Sequence, residues 1–248
     1  MKALITGASS GIGRDMARIL ANKGYDLIIV ARRKDRLEEL KESLHTNVTI
    51  ISMDISSTYN CMKLYNKIKS EDIEIVINNA GFGLFGDFTS TSIDKELDMI
   101  DLNIKSLHTL TKLFLNDFVK KDKGYILNVA SSAAFLPGPM MATYYATKAY
   151  VLRLTEAVSY ELKEKGSNVY IGALCPGPIK TEFENVANVE FTTKKMTSEE
   201  VSKYAINQMF KNKKIIIPGG IMKISHIFSK ILPDTLLAKI AFNAQKKR

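Results

Sequence analysis

Seven short apolar runs punctuate the chain: Ala3 to Ile5, Leu27 to Val30, Val48 to Ile51, Ile73 to Ile77, Tyr125 to Val129, Val169 to Leu174 and Ile215 to Ile217, with helical periodicity between them. Runs so short and so continuously apolar suit strands buried on both faces, and such strands need helices on both sides of their sheet. The alternation therefore predicts an α/β fold: a doubly wound parallel sheet of about seven strands, Rossmann-like in its organisation. Sheets of this kind bind ligands at the carboxyl ends of their strands, near the point where strand order reverses. The length of 248 residues, the 46% hydrophobic content and the lack of any Pro/Ser-rich linker predict a single domain over residues 1–248.

Composition narrows the partners and the compartment. Cys61 and Cys175 are too few and too far apart for a disulfide framework, and neither has a metal-ligand spacing. Both read as buried thiols in a reducing compartment, and no metal is expected. Met1 and Lys2 lead straight into the strand-like ALIT without the regions of a signal peptide, and no apolar run approaches the roughly 20 residues of a membrane span. A cytoplasmic protein is the expectation. The formal charge of +9 comes from lysines scattered through helices with no nucleic-acid-binding motif among them, so no nucleic-acid partner is expected. An anionic cofactor or acidic lipid headgroups would still gain from that charge.

The informative motifs follow predicted strands. Gly7, Gly11 and Gly13 in TGASSGIG lie between the first strand and a helix opening near Ile12, with Ser9 and Ser10 inside the turn. Without Cβ atoms the backbone can turn tightly and approach a pyrophosphate, whose charge the helix N-terminus then meets. The second strand runs into VARRKDR, which puts Arg32 and Arg33 where an NAD site would hold an acidic residue for the ribose hydroxyls. Guanidinium donors with no carboxylate among them welcome a 2′-phosphate, and Arg14, just past the glycine turn, stands to add a third. NADP(H) is the predicted cofactor.

The stretch from Tyr144 to Leu162 reads as one long helix on which Tyr144 and Lys148 stand one turn apart and point the same way. An ammonium beside a phenol favours the phenolate, but bringing a phenol from about 10 to near 7 takes roughly 4 kcal/mol, more than one lysine supplies in water. A bound nicotinamide ring would bring a second positive charge. Spacing alone leaves Tyr145, three residues from Lys148, as a rival. The choice of Tyr144 rests on Ser131, thirteen residues upstream at the end of the strand-like GYILNVA, where a hydroxyl facing the helix suits an oxyanion partner.

Ser131, Tyr144 and Lys148, with TGASSGIG at Thr6 to Gly13 and NNAG at Asn78 to Gly81, resemble the short-chain dehydrogenase/reductase family in residue type, order and interval. The resemblance covers about Lys2 to Phe183. It implies an oxidoreductase with a Ser-Tyr-Lys-Asn catalytic set, the last member being Asn103 in the helix from about Asp94 to Val119. The backbone carbonyl of Asn103, at a local kink, would hold a water linking Lys148 to solvent. The same resemblance implies that Tyr144 and Lys148 also touch the cofactor, that Asp54 meets the adenine amino group and that Ile55 packs nearby. A turn-forming role is the bland alternative for Asp54. It further implies that Asn79 stabilises the sheet, that Ala80 and Gly81 line the cofactor, that Pro176 and Gly177 lie beside the nicotinamide, and that Ile179 and Thr181 hold its carboxamide. The interval to Tyr144 favours Ser131 over Ser132 as the oxyanion donor.

Phe135, Leu136, Met140 and Met141 fall between the serine and the tyrosine and are expected to border an apolar substrate pocket. Residues 182–196 are polar without a firm period, which suits a lid over the substrate. From 220 to 248, Ile221, Ile224, Phe228, Ile231, Leu236, Leu237 and Ile240, broken by Pro233, read as an amphipathic hairpin with a basic tail. Pocket cover, or a subunit interface of a homodimer or homotetramer, is its expected use, ahead of peripheral contact with a membrane. The functional reading is an NADP(H)-dependent oxidoreductase moving a hydride between nicotinamide and a small to medium apolar carbonyl or secondary alcohol. Its rivals are a non-catalytic NADP(H)-binding regulator and a membrane-surface reductase acting on lipid-like substrates.

Overall fold

A computed structural model describes residues 1–180, 182, 187 and 196–246. The expected strands form one parallel seven-stranded sheet: β1 (Lys2–Thr6), β2 (Asp26–Ala31), β3 (Val48–Ser52), β4 (Ile73–Asn78), β5 (Tyr125–Val129), β6 (Tyr170–Leu174) and β9 (Ile215–Ile216). Their order is β3-β2-β1-β4-β5-β6-β9, so strand order reverses between β1 and β4. A small second sheet pairs β7 (Ile179–Lys180) with β8 (Met196–Thr197) in parallel.

Successive side chains on each strand point to opposite faces, and the two faces hold separate apolar clusters. Ala3, Ile5, Leu27, Ile29, Ile75 and Ile77 pack under α1 (Gly11–Ala21), α2 (Lys34–Glu42) and α7 (Ser198–Met209). Leu4, Ile28, Val30, Val76 and Ile126 pack under α3 (Thr58–Ile68) and α5 (Leu107–Lys121). Because both faces are dry, nearly every strand position is apolar, which is what made the strands visible as continuous runs. Helix α7 starts on a capping box, in which Thr197 Oγ1 accepts from the Glu200 N–H while the Glu200 carboxylate accepts from the Thr197 N–H.

A buried polar network locks the site-bearing elements together. Asn78 Nδ2 donates to Asn128 Oδ1 at 2.9 Å and to Thr111 Oγ1 at 3.0 Å, and Asn128 Nδ2 donates to Thr155 Oγ1 at 3.0 Å. These bonds join the carboxyl ends of β4 and β5 to α5 and to α6 (Ala142–Glu164). Such a network fixes relative positions that apolar packing alone leaves adjustable, although the Asn78 Oδ1 within it is buried with no hydrogen-bond partner.

The helix expected over Asp94 to Val119 is interrupted. It consists of α4 (Ile93–Ile100), a π-helical turn over Asp101–Ser106 and α5. At the C-terminus, α8 (Gly220–Phe228) and α9 (Asp234–Lys246) form the expected hairpin. One side of it packs inward: Leu237, Ala241 and Gln245 are buried, and the His226 ring lies 4.1 Å from that of Phe135. The other side is open, with Ile221 at 76% and Ile231 at 71% exposure and Ile224, Ile227 and Phe228 exposed between them. No helix among the described residues is long and apolar enough to cross a membrane.

Candidate active site

The carboxyl ends of β1, β2, β4, β5 and β6 open into one cavity of about 450 Å³. The glycine turn forms its floor. Gly7 and Gly11 adopt φ of +67° and +51°, a region that any Cβ disfavours. Gly13 is required by proximity instead, since a Cβ there would lie 2.5 Å from the Gly7 carbonyl oxygen and from Asn79 Nδ2. Asn79 Nδ2 donates to the carbonyls of Thr6 and Gly7 at 3.0 and 3.1 Å, tying the end of β4 to the end of β1. Ser9, Ser10, Ile12, Ala80 and Gly81 line the cavity beside it.

At one end of the cavity Arg33 Nη2 donates to Ser9 Oγ at 3.1 Å and Ser10 Oγ at 3.0 Å, while its Nη1 donates to Glu182 at 2.9 Å. Arg32 is more exposed, its Nη1 3.9 Å from Asp54 Oδ2. Asp54 Oδ1 accepts from the Ser56 N–H at 2.9 Å, so the turn-forming role is present, and Asp54 and Ile55 also line the cavity. Arg14 is a correction to the sequence expectation. It does not join the arginine cluster, because its Nε donates to Asp15 at 3.0 Å, a nearly buried carboxylate that needs the compensation.

At the other end stand Ser131, Tyr144 and Lys148. Ser131 caps a short 3-10 helix, Ser132–Phe135, its Oγ accepting from the Ala133 N–H at 3.1 Å. Helix α6 carries Tyr144 and Lys148 inward on one face. Burial pushes the Tyr144 phenol up to about 12, against the pull of its hydrogen bond with the Ser131 side chain, and Tyr145 nearby adds to the rise. Burial also brings Lys148 down to about 8, and its Nζ donates to the Val129 carbonyl at 2.9 Å. That Nζ lies 5.9 Å from the Tyr144 ring centroid. Both shifts have one main cause, the loss of water around a phenol and an ammonium buried side by side.

The π-helical turn presents Asn103, whose Nδ2 donates to the Phe82 carbonyl at 2.9 Å and to Thr147 Oγ1 at 3.1 Å while its Oδ1 accepts from the Phe82 N–H at 3.1 Å. An amide inside a helix is unfavourable unless used, and this one is fully used. Gly81 sits against it, for a Cβ there would lie 2.7 Å from Asn103 Oδ1 and 3.4 Å from Lys148 Nζ. Single-turn π segments of this kind occur often at functional sites.

Of the expected substrate contacts, Met141 lines the cavity, as do Ser132, Pro176, Gly177 and Ile179. Phe135 and Met140 are corrections. The Phe135 ring is turned out to His226, and Met140, at φ +67°, contributes its backbone carbonyl to the Gly86 N–H at 2.8 Å. Leu136 does not line the cavity either. Thr181 lies outside the described residues, as does most of the expected lid, of which Glu182, Ala187 and Met196 are described. Sequence reasoning missed Phe82 and Tyr145 as cavity walls and Glu182 at the arginine end. It also left undecided that the C-terminal hairpin packs against two residues of the cavity wall: a Cβ on Gly177 would meet Met222 Sδ at 2.7 Å, and Gln245 Nε2 donates to Tyr145 Oη at 2.9 Å.

A parallel sheet in this order with polar groups gathered at its switch point defines a Rossmann-like class of fold, and comparison with known proteins gives the family. The sequence model described as short chain dehydrogenase matches residues 1–190. The chain belongs to that family. It is 33% identical over 220 residues to the chicken (Gallus gallus) hydroxysteroid dehydrogenase-like protein 1, covering 84% of this chain and 65% of that protein. It is 30% identical over 192 residues to the zebrafish (Danio rerio) very-long-chain 3-oxoacyl-CoA reductase-B, covering 74% of this chain and 61% of that protein. The chain thus spans somewhat under two thirds of the length of these relatives. Among solved structures, a short-chain dehydrogenase from Sphingobium yanoikuyae in complex with NADPH superposes with a TM-score of 0.82 at 31% identity, over 88% of each chain.

Proposed function

We propose that this chain is an NADP(H)-dependent oxidoreductase that moves a hydride between nicotinamide and the carbon of an apolar carbonyl or secondary alcohol. The observation that carries the reading is one cavity with Ser131, Tyr144 and Lys148 at one end and Arg33 with Ser9 and Ser10 at the other. The dinucleotide suits this cavity on two counts. Gly7 and Gly11, at positive φ, shape the turn that leads into the N-terminus of α1 beside the cavity, and the arginine end already holds an oxyanion, the Glu182 carboxylate.

Bound nicotinamide supplies the hydride and a positive ring when oxidised. The chain supplies the proton and the geometry. In reduction Tyr144 Oη gives its proton to the carbonyl oxygen, and in oxidation the phenolate takes it back. The Ser131 hydroxyl donates a hydrogen bond to the same oxygen as negative charge develops on it. Lys148 adds positive charge near the phenol and would bind the nicotinamide ribose, while Asn103, held by Phe82 and Thr147, keeps the π-helical turn that would seat the relay water. Met141, Tyr145 and Phe82 make the substrate end apolar. The resemblance to a hydroxysteroid dehydrogenase-like protein and a very-long-chain 3-oxoacyl-CoA reductase supports a bulky apolar substrate. A panel of aliphatic, steroidal and 3-oxoacyl ketones followed by NADPH absorbance tests the reading. Turnover of at least one bulky ketone is expected, and tight NADPH binding without turnover on any would favour the regulatory alternative.

The homo-oligomer expected from sequence would cover the open stripe on α8, since a stripe this apolar seldom faces water unpartnered. Ile224→Ser with Phe228→Ser removes exposed apolar surface only, so the fold should survive. Size-exclusion chromatography should show the assembly falling to monomer. An unchanged assembly that no longer sediments with anionic vesicles would assign the stripe to a membrane instead.

A further inference from the structure

We infer that Glu182 is a specificity-determining residue for the dinucleotide: its carboxylate holds, on Arg33 and Arg36, the place a 2′-phosphate would take, so that a phosphorylated cofactor must displace it and an unphosphorylated one keeps it. The inference rests on the NADP(H) reading above and concerns a residue that no motif marks.

The geometry is that of an oxyanion site. One Glu182 oxygen accepts from Arg33 Nη1 at 2.9 Å and the other from Arg36 Nη1 at 3.3 Å. The Ser10 side chain also bonds the carboxylate, which these contacts, Arg33 first, hold below the usual carboxylate range. Arg33 is committed on both terminal nitrogens, with Nη2 on Ser9 and Ser10. A phosphate needing the same guanidinium cannot bind beside Glu182 without like-charge repulsion, so the two anions exclude each other.

Magnitudes favour exchange. Glu182 is 40% exposed, and an ion pair that open contributes little, so it is cheaply displaced. A phosphate offers more charge and three acceptor oxygens to the same donors, the Ser10 hydroxyl that now bonds Glu182 among them. The displacement still subtracts from NADPH affinity. An unphosphorylated ribose instead presents hydroxyl donors, and a carboxylate is the group that takes them in NAD sites, usually from just after β2. This chain has Arg32 and Arg33 there and brings a carboxylate to the same cavity from 149 residues beyond Arg33. The wild-type site is therefore a moderated one, preferring NADPH while retaining NADH.

Equilibrium titration of NADPH and NADH by dinucleotide fluorescence tests this without turnover. Glu182→Gln keeps the size and loses the charge, and Glu164→Gln, exposed on the far part of α6, controls for net charge. Glu182→Gln should tighten NADPH about three- to fivefold without tightening NADH, widening the ratio of the two dissociation constants by about the same factor, and Glu164→Gln should leave the ratio alone. A ratio in Glu182→Gln within about twofold of wild type, or weaker NADPH binding, overturns the inference. A wild-type protein that prefers NADH would overturn the cofactor reading itself, so the two failures are distinct.

Discussion

Tyr144→Phe is expected to lower turnover by about 10²- to 10⁴-fold, the range a positioned general acid contributes, while NADPH binding changes little. The phenol oxygen is the only atom removed, from a buried ring that bonds Ser131 and has Lys148 beside it. Tyr145→Phe should keep most of the activity. Its hydroxyl is spent accepting from Gln245 Nε2 at 2.9 Å, so its loss strands a buried amide and is expected to cost about 1–3 kcal/mol of stability instead. Steady-state kinetics and thermal unfolding on the two variants separate the roles. Activity lost in the 145 variant and kept in the 144 variant would move the proton donor one residue along the helix.

The second large effect is on cofactor choice. Arg33→Ala removes a guanidinium that bonds Ser9, Ser10 and Glu182, and should weaken NADPH by about 10- to 100-fold, as for one or two lost charge-assisted bonds. NADH should weaken less. Arg32→Asp should act in the same direction but less strongly, because Arg32 is more exposed and its nearest acid is 3.9 Å away. Arg14→Ala should leave the preference unchanged, since that side chain serves Asp15. Parallel titrations of the three variants rank the arginines, and equal NADPH affinity in Arg33→Ala and wild type would remove the 2′-phosphate from this end of the cavity.

The sheet was legible because burial on both faces writes itself into sequence as unbroken apolar runs, and β1 to β6 and β9 fall on or within a residue or two of them. The small sheet of β7 and β8 was not, for strands of two residues have no period to read. The π-helical turn was invisible to periodicity as well, since six residues cannot separate a π from an α repeat, and Asn103 was the one local hint. Spacing brought Tyr144, Lys148 and Ser131 to one place. It could not tell which way Phe135 and Met140 face, which depends on the His226 ring and on a positive φ. Glu182 and Gln245 were beyond it altogether, because their partners lie 149 and 100 residues away and nothing local marks them. The hairpin showed an apolar stripe, but not that a second, inward face packs behind the cavity-lining Gly177 and Tyr145.

Hydride transfer itself can be followed by mass. NADPH carrying deuterium on the transferring face of C4, incubated with the best bulky ketone from the panel, should yield an alcohol one mass unit heavier, with the label on the carbinol carbon, in wild type and not above background in Tyr144→Phe. Label transferred equally by both proteins, or NADPH bound by wild type with no labelled alcohol from any ketone, would contradict the account.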